Sequence, residues 1–417
     1  MTDNVDQINA IKTIQKNLVG KKLTYKEIYN LMDEIAHHRL SEVLTTYFVA
    51  SSFKNGFSPD ELYYFTKAMV ETGTRLDFDG IVADKHSTGG LAGTRTSMII
   101  VPIIAAAGFT IPKTSSRSIT SPAGTADTME VLAPVTLSPA HLKEVVGKTG
   151  GCIVWGGKLG LAPADDVIIE VQEELSFEPF DKIIISIMAK KVAVGANHLV
   201  LDIPVGRTMK IKHTNDAEKI ASKFKALAKR FDIEVLIDIN NASEPAGNSV
   251  GPMLEARDVL YVLEQHKHKP AELEAKSLRL AGLLLDSCYK TAKTKKNGEE
   301  EAKKLLSSGA ALAKFKEIIK AQGGDPNVTS ETLNFTNHKH DVKAQKRGKI
   351  KSIENFNLNT VARILGAPDD IQAGIYMHKK IGDSVESEDV LMTLYANDQQ
   401  KFKEANDTLE TFPIYEI

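Results

Sequence analysis

The stretch Asp84-Lys85-His86-Ser87-Thr88-Gly89-Gly90-Leu91-Ala92-Gly93-Thr94-Arg95-Thr96-Ser97 sits between two apolar runs. Before it, Gly80-Ile81-Val82-Ala83-Asp84 reads as a strand; after it, Thr94 to Ala107 reads as a buried helix. The glycines therefore occupy a strand-to-helix turn. Such a turn suits an anion: glycine lets the backbone approach closely, free N–H groups point outward at the helix start, and the helix dipole favours negative charge. Lys85 adds a full positive charge, and Ser87, Thr88 and Ser97 add hydroxyl donors. No Gly-Lys-Ser/Thr closes the loop, so it is not a Walker A loop, and the glycine spacing is not that of the dinucleotide fingerprint. The plain alternative is a glycine-rich turn with an incidental lysine.

A second donor-rich stretch, Lys113-Thr114-Ser115-Ser116-Arg117-Ser118-Ile119-Thr120-Ser121-Pro122-Ala123-Gly124-Thr125, follows another strand, Phe109 to Pro112. Serine and threonine favour turns on their own account, but that reading does not call for Arg117 at the centre. A guanidinium forks onto phosphate oxygens while hydroxyls satisfy the remainder. Loops at the ends of neighbouring strands would converge on one crevice, and the number of donors suggests more than one phosphate group. Further strands are expected at 152–155, 198–203 and 233–239, with helices opened by Ser138-Pro139 and spanning 215–230. Alternating strands and helices imply a mixed sheet covered by helices, an α/β domain.

Outward from this core the texture changes twice. The first 75 residues carry two capping boxes, Thr24-Tyr25-Lys26-Glu27 and Ser58-Pro59-Asp60-Glu61, each followed by apolar residues at helical spacing. After helices over 252–322, the segment from about 334 reads as short strands with one helix, Asn359 to Leu365, and a hairpin turn at Gly382-Asp383: a small C-terminal α+β domain. The charged run 290–301 reads as a solvated loop rather than a docking site. The 417 residues suit two to three domains, and the net charge of −2 excludes a bulk electrostatic grip on nucleic acid or an anionic membrane. Two cysteines, Cys152 and Cys288, make no disulfide framework and point to a cytoplasmic location. The polar N-terminus is no secretory signal, and the longest nearly apolar run, 98–110, is too short for a bilayer.

Three more segments matter in combination: Leu161-Ala162-Pro163-Ala164-Asp165-Asp166, Glu173 to Glu178, and Ser186-Ile187-Met188-Ala189-Lys190-Lys191. Alone they say little; Lys190, Lys191 and Glu178 would ordinarily be solvated. In order with the two loops, and with Ala373 to Lys380 followed by Gly382-Asp383, they resemble the thymidine and pyrimidine-nucleoside phosphorylase family over nearly the whole chain. Pyrimidine members carry Ser-Gly-Arg-Gly-x-Gly-His-Thr-Gly-Gly-Thr where this chain has Ser115 to Thr125, and a Tyr-x-x-Arg where it has Ile169-Glu170-Val171-Gln172. The Ser-Ser-Arg-x-Ile-Thr-Ser version resembles the AMP phosphorylase branch, which commonly has an additional N-terminal domain that this chain does not show.

The resemblance implies a helical domain, residues 1–75 completed by about 160–195, an α/β phosphate-binding domain, residues 76–159 and 196–333, and a C-terminal domain, residues 334–417. It implies phosphorolysis: phosphate attacks the sugar's anomeric carbon and displaces the base. The expected substrate is a nucleoside 5′-monophosphate, AMP first, with a pyrimidine nucleoside as the alternative. Lys85, Ser87, Ser97, Ser115 and Thr125 would hold the attacking phosphate. Gly90, Ser116, Arg117, Ser118, Ile119, Thr120, Ser121, Thr125 and Lys210 would hold the nucleotide, and Ser186 and Lys190 would face the base. Glu178, where the branch has Asp, would protonate the leaving base, with Lys85 and His86 beside the reaction. No metal or cofactor is expected; Asp84 and Asp127 are read as hydrogen-bonding groups. A homodimer is expected, with no nucleic-acid or membrane partner. A metal-dependent phosphoribosyltransferase and a nucleotide-sensing binding protein are the rival classes.

Overall fold

Both expected capping boxes form. Thr24 N donates to the Glu27 carboxylate at 2.7 Å while Glu27 N donates back to Thr24 Oγ1, and Ser58 and Glu61 repeat the exchange. They open α2 (Tyr25–Ala36) and α4 (Pro59–Glu71), which with α1 (Thr2–Leu18) and α3 (Glu42–Asn55) make up the N-terminal helices. The apolar stripes read from the sequence face inward: Ile28, Leu31, Met32 and Ile35 of α2, and Leu62, Phe65 and Met69 of α4, are buried. The computed structural model describes every residue except 1, 119–120, 176–179 and 336–337.

Strands and helices then alternate: β1 (Ala83–Ser87), α5 (Thr96–Ala106), β2 (Ile111–Ser115), α6 (Thr125–Glu130), α7 (Pro139–Thr149), β3 (Gly151–Trp155), α8 (Pro163–Leu175), α9 (Phe180–Ala193), β4 (His198–Val205), α10 (Thr214–Lys229), β5 (Glu234–Asn241) and β6 (Ser249–Val250). Four helices follow, α11 (Pro252–Leu263), α12 (Ala271–Thr291), α13 (Gly298–Ser307) and α14 (Ala310–Ala321). The chain ends in β7 (Lys339–Lys343), β8 (Gly348–Lys349), β9 (Ser352–Ile353), α15 (Asn355–Ile364), β10 (Gly374–Met377), β11 (Ser384–Val385), β12 (Val390–Tyr395), α16 (Gln399–Thr411) and β13 (Tyr415–Glu416).

Strands β1, β4 and β5 form one sheet in the order β1-β4-β5, and β2 pairs in parallel with β3, Ile111 opposite Gly151 and Ser115 opposite Trp155. The two donor-rich loops therefore follow strands of different sheets, which corrects the expectation that they leave neighbouring strands. Helix α5 is apolar on every side. Met98 to Ile104 are buried, and α12 and α14 pack against it, as a helix without a polar face requires.

The chain divides into two compact units. One comprises Met1–Asp84, Gly156–Leu199 and Glu218–Val235; the other comprises Lys85–Trp155, Val200–Ala217 and Leu236–Ile417. The first is built on α1–α4 with α8, α9 and α10. The second contains α5, the β2–β3 pair, α11–α14 and the C-terminal segment. In that segment β10, β12 and β7 join β6 in an antiparallel sheet ordered β6-β10-β12-β7. The turn at Gly382 is present, with Gly382 at φ +95, but β11 after it pairs with β8 and not with the preceding β10. It is no hairpin. Helix α15 also starts four residues before the expected Asn359. No helix among the described residues is long and apolar enough to cross a membrane.

Candidate active site

In the second unit, Lys85 is 3% exposed on β1 and its Nζ lies 3.8 Å from Asp202 on β4. Lys276 Nζ approaches the same carboxylate at 3.1 Å and Asn240 Nδ2 donates to it at 2.7 Å. Burial would push the Asp202 carboxyl up; Lys85, Lys276 and Asn240 outweigh it and hold it below its ordinary value. One carboxylate thus orients the lysine expected at the phosphate. His86, half-buried, follows on the same strand. Ser87 Oγ accepts from Gly89 N at 3.3 Å, and Gly89, Gly90 and Gly93 all have positive φ. Gly93 tolerates no side chain, because a Cβ there would stand 2.4 Å from Ser249 O. Ser97 lies buried in the first turn of α5.

Arg95 joins the two loops. At the N-terminus of α5, its guanidinium binds the buried Glu255 carboxylate and donates to Ala123 O in the second loop. The convergence expected of adjacent strands is thus supplied by a side chain. The second loop is organised by Asp127 of α6, which accepts from Ser118 N at 2.6 Å and Gly124 N at 2.8 Å. Asp127 also accepts from Arg117 Nη1 at 3.0 Å, while Glu130 takes both Arg117 Nη groups, at 2.5 and 2.8 Å. The guanidinium lies 4.8 Å from the Trp155 ring centroid. Arg117, expected to fork onto phosphate, is here held by two carboxylates and an aromatic face. Ser118 Oγ donates to Ser121 O, and Ser121 Oγ donates to Ala123 O at 2.7 Å. Ser116 is exposed and Thr125 half-buried at the start of α6. Ile119 and Thr120 lie outside the described residues.

Four hydroxyls of these two stretches, Thr88 Oγ1 and Thr96 Oγ1 in the first and Thr114 Oγ1 and Ser115 Oγ in the second, are buried without a hydrogen-bond partner among the described residues. A buried polar atom without a protein partner calls for one from outside the chain, an ordered water or a ligand. Lys210 belongs to this unit too: a Cβ on Gly90 would meet its Cγ at 3.2 Å, so its stem lies against the first glycine loop.

The first unit holds the residues expected to face the base. Asp165 on α8, 2% exposed, accepts from Ser186 Oγ at 2.7 Å and pairs with Lys190 Nζ at 2.8 Å, both on α9. Lys191 points elsewhere and pairs with the buried Asp84 at 2.5 Å. Neither lysine is simply solvated, and Asp84 and Asp127 keep their hydrogen-bonding roles. Asp166 is pushed up to about 7 by burial, with Lys190 opposing and Asp165 and Glu170 adding to the rise. Glu170, in the stretch expected to match the Tyr-x-x-Arg of pyrimidine members, is exposed. Glu178 lies outside the described residues. Arg95, Asp165, Asp202 and Lys276 received no role from the sequence. Arg95 and Asp165 stood inside quoted motifs, but nothing local names their partners.

The chain thus has a helical unit and a second unit with two glycine- and hydroxyl-rich loops, and comparison with known proteins shows that it is a glycosyl-transferring enzyme. The chain matches the glycosyl transferase family helical bundle domain over residues 11–73, the glycosyl transferase family a/b domain over residues 79–312, and the pyrimidine nucleoside phosphorylase C-terminal domain over residues 349–413. It is 42% identical over 403 residues to AMP phosphorylase 1 of Archaeoglobus fulgidus, covering 96% of this chain and 79% of that protein. It is 44% identical over 402 residues to an AMP phosphorylase of Thermofilum pendens, covering 96% and 77%. It is 40% identical to a putative thymidine phosphorylase of Legionella pneumophila, covering 96% and 77%. Among solved structures, anthranilate phosphoribosyltransferase from Thermus thermophilus shares the fold, with TM-score 0.62 at 18% identity, covering 74% of this chain and 99% of that one. The chain belongs to the thymidine/pyrimidine-nucleoside phosphorylase family of glycosyl transferases, on its AMP phosphorylase branch.

Proposed function

We propose that the protein cleaves nucleoside 5′-monophosphates by phosphorolysis, converting AMP and phosphate to adenine and ribose 1,5-bisphosphate in nucleotide salvage. A phosphate oxygen forms a bond to the anomeric carbon, the carbon–nitrogen bond to the base breaks, and its electron pair leaves with the base. The observation that carries this reading is the set of buried, unpartnered hydroxyls, Thr88 and Ser115 among them, on two loops tied together by Arg95. Lys85, Ser87, Ser97, Ser115 and Thr125 position and neutralise the attacking phosphate, which suits a transition state with oxocarbenium character. Gly90, the loop from Ser116 to Ser121, and Lys210 receive the nucleotide. Ser186 and Lys190 receive the base, and Glu178 supplies its proton. No metal or cofactor takes part in the proposed reaction.

Phosphate-dependent base release from AMP, CMP, thymidine, uridine and adenosine tests the assignment. AMP is expected to be the best substrate; robust thymidine cleavage without AMP cleavage overturns it. A pyrimidine nucleoside is the second reading, favoured by the C-terminal domain match and the Legionella pneumophila relative. We further propose a cytoplasmic homodimer. The two cysteines are free, and Val5 and Ile8 of α1 with Val43 and Tyr47 of α3 are exposed apolar side chains that a second copy would cover. Light scattering at assay concentration distinguishes dimer from monomer.

A further inference from the structure

Arg117 is the one arginine in the second loop's own sequence, yet Glu130 and Asp127 neutralise it. A phosphate monoester bound there would need a second cation. Helix α15 brings one. Its last-turn Arg363 donates through Nη2 to Ser118 Oγ at 3.3 Å. At the other end of the helix, Asn355 Nδ2 donates to Gly90 O at 2.6 Å and its Oδ1 accepts from Ala92 N at 3.2 Å. Eight residues of helix span about 12 Å. One short helix therefore fixes the glycine loop with an amide at its start and reaches the serine loop with a guanidinium near its end.

We propose that Arg363 is a substrate-specificity residue that recognises the 5′-phosphate of the nucleotide and so sets the preference for nucleotide over nucleoside. The inference rests on the nucleotide reading above. Planar guanidinium matches a phosphate's oxygens in a two-point contact, and Arg363 reaches the serine loop from an exposed position. Ser118 Oγ, already within its reach, marks where that phosphate would sit. In the reading above the charged donor to the co-substrate phosphate, Lys85, and two of its hydroxyls, Ser87 and Ser97, lie in the glycine stretch, with Ser115 and Thr125 at the two ends of the serine stretch and away from Ser118 in sequence. Loss of Arg363 should therefore spare the apparent affinity for inorganic phosphate more than that for AMP.

The test measures phosphate-dependent adenine release from AMP and from adenosine by the wild type, Arg363→Ala, Arg363→Lys, and Arg347→Ala as a surface-charge control. Arg347 pairs with Glu386 at 3.2 Å and is largely exposed. Arg363→Ala is expected to raise the KM for AMP roughly tenfold or more with a smaller change in kcat. It should lower the AMP-to-adenosine efficiency ratio by a similar factor, and raise the KM for inorganic phosphate less than that for AMP. Arg363→Lys should recover part of the ratio, and Arg347→Ala should keep the wild-type ratio. An unchanged ratio in Arg363→Ala, with a wild type that prefers AMP, overturns the Arg363 assignment alone. So does an equal rise in both KM values. A wild type that cleaves nucleosides and not AMP overturns the nucleotide reading, and this inference with it.

Discussion

Lys182 on α9 is 3% exposed, and its Nζ lies 4.4 Å from the Phe48 ring centroid. No hydrogen-bond partner reaches that buried amine. Burial lowers its pKa from 10.5 to about 7, with Asp165 opposing. Between those two values the unfolded chain holds the proton and the folded chain does not, so stability rises as pH climbs through that window. At and below neutral pH the fold bears the whole cost of the buried charge. Lys182→Met, apolar and of similar length, should therefore raise stability in urea at pH 7, on the order of 2 kcal/mol. The gain should shrink toward pH 10, and an equal gain at both pH values would refute the argument. At this scale the sequence was partly legible. Lys85, Ser115 and Arg117 were visible as donors because their loops hold so few carboxylates. Their settings were not: Arg117 meets Glu130 thirteen residues on, and Asp165 meets Ser186 and Lys190 across two helices. Only the folded register of α6, α8 and α9 creates those pairs.

Helix α15 shows what an element adds beyond its residues. Asn355 is 2% exposed and satisfies two backbone groups of the glycine loop, Gly90 O and Ala92 N. Asn355→Ala leaves both without that partner, at about 1–3 kcal/mol for a buried unsatisfied group. The expected result is a melting temperature several degrees lower and a raised KM for inorganic phosphate, since the loop proposed to hold it loosens. An unaltered KM with a lowered melting temperature would limit Asn355 to stability. The start of this helix was missed because no serine, threonine or aspartate marks it; Glu354 stands at the N-cap without a side-chain bond to the helix. Where such a residue is present, at Thr24, Ser58 and Ser138, the start was read correctly. Strand existence was readable from β-branched runs, but pairing was not. Nothing in Ala83–Ser87 or Ile111–Ser115 states which partner each strand takes, so the placement of β1 and β2 in separate sheets came only from the fold.

At the scale of the whole chain, the change of texture near residue 334 suggested a separable last domain, and residues 349–413 do match a family domain of their own. The contacts bind it more closely to what precedes it. Strand β6, at Ser249–Val250, is an edge of the sheet whose other strands come from 339–395. Ala92 and Val250 lie in the same apolar cluster as Leu358, Val361 and Ile375. Lys380 Nζ donates to Pro245 O and Gly247 O at 2.7 and 2.6 Å, and Met377 N donates to Asn248 O at 2.7 Å. A Cβ on Gly374 would stand 2.1 Å from Val250 O, so the backbones are in direct contact and only glycine fits. Cutting the chain after residue 333 would strip β6 of its neighbour, expose Val250 and Ala92, and remove both Asn355 and Arg363 from the loops. Buried aliphatic area is worth roughly 25 cal/mol per Å², and a strand edge left bare invites aggregation. Expression of residues 1–333 should yield insoluble protein, or soluble protein with a lower melting temperature and no phosphate-dependent base release. A soluble 1–333 fragment with the melting temperature and turnover of the full chain would show that the last segment is an appendage. If turnover returns when residues 334–417 are added as a separate chain, the shared sheet and cluster are the surface on which the two pieces reassemble.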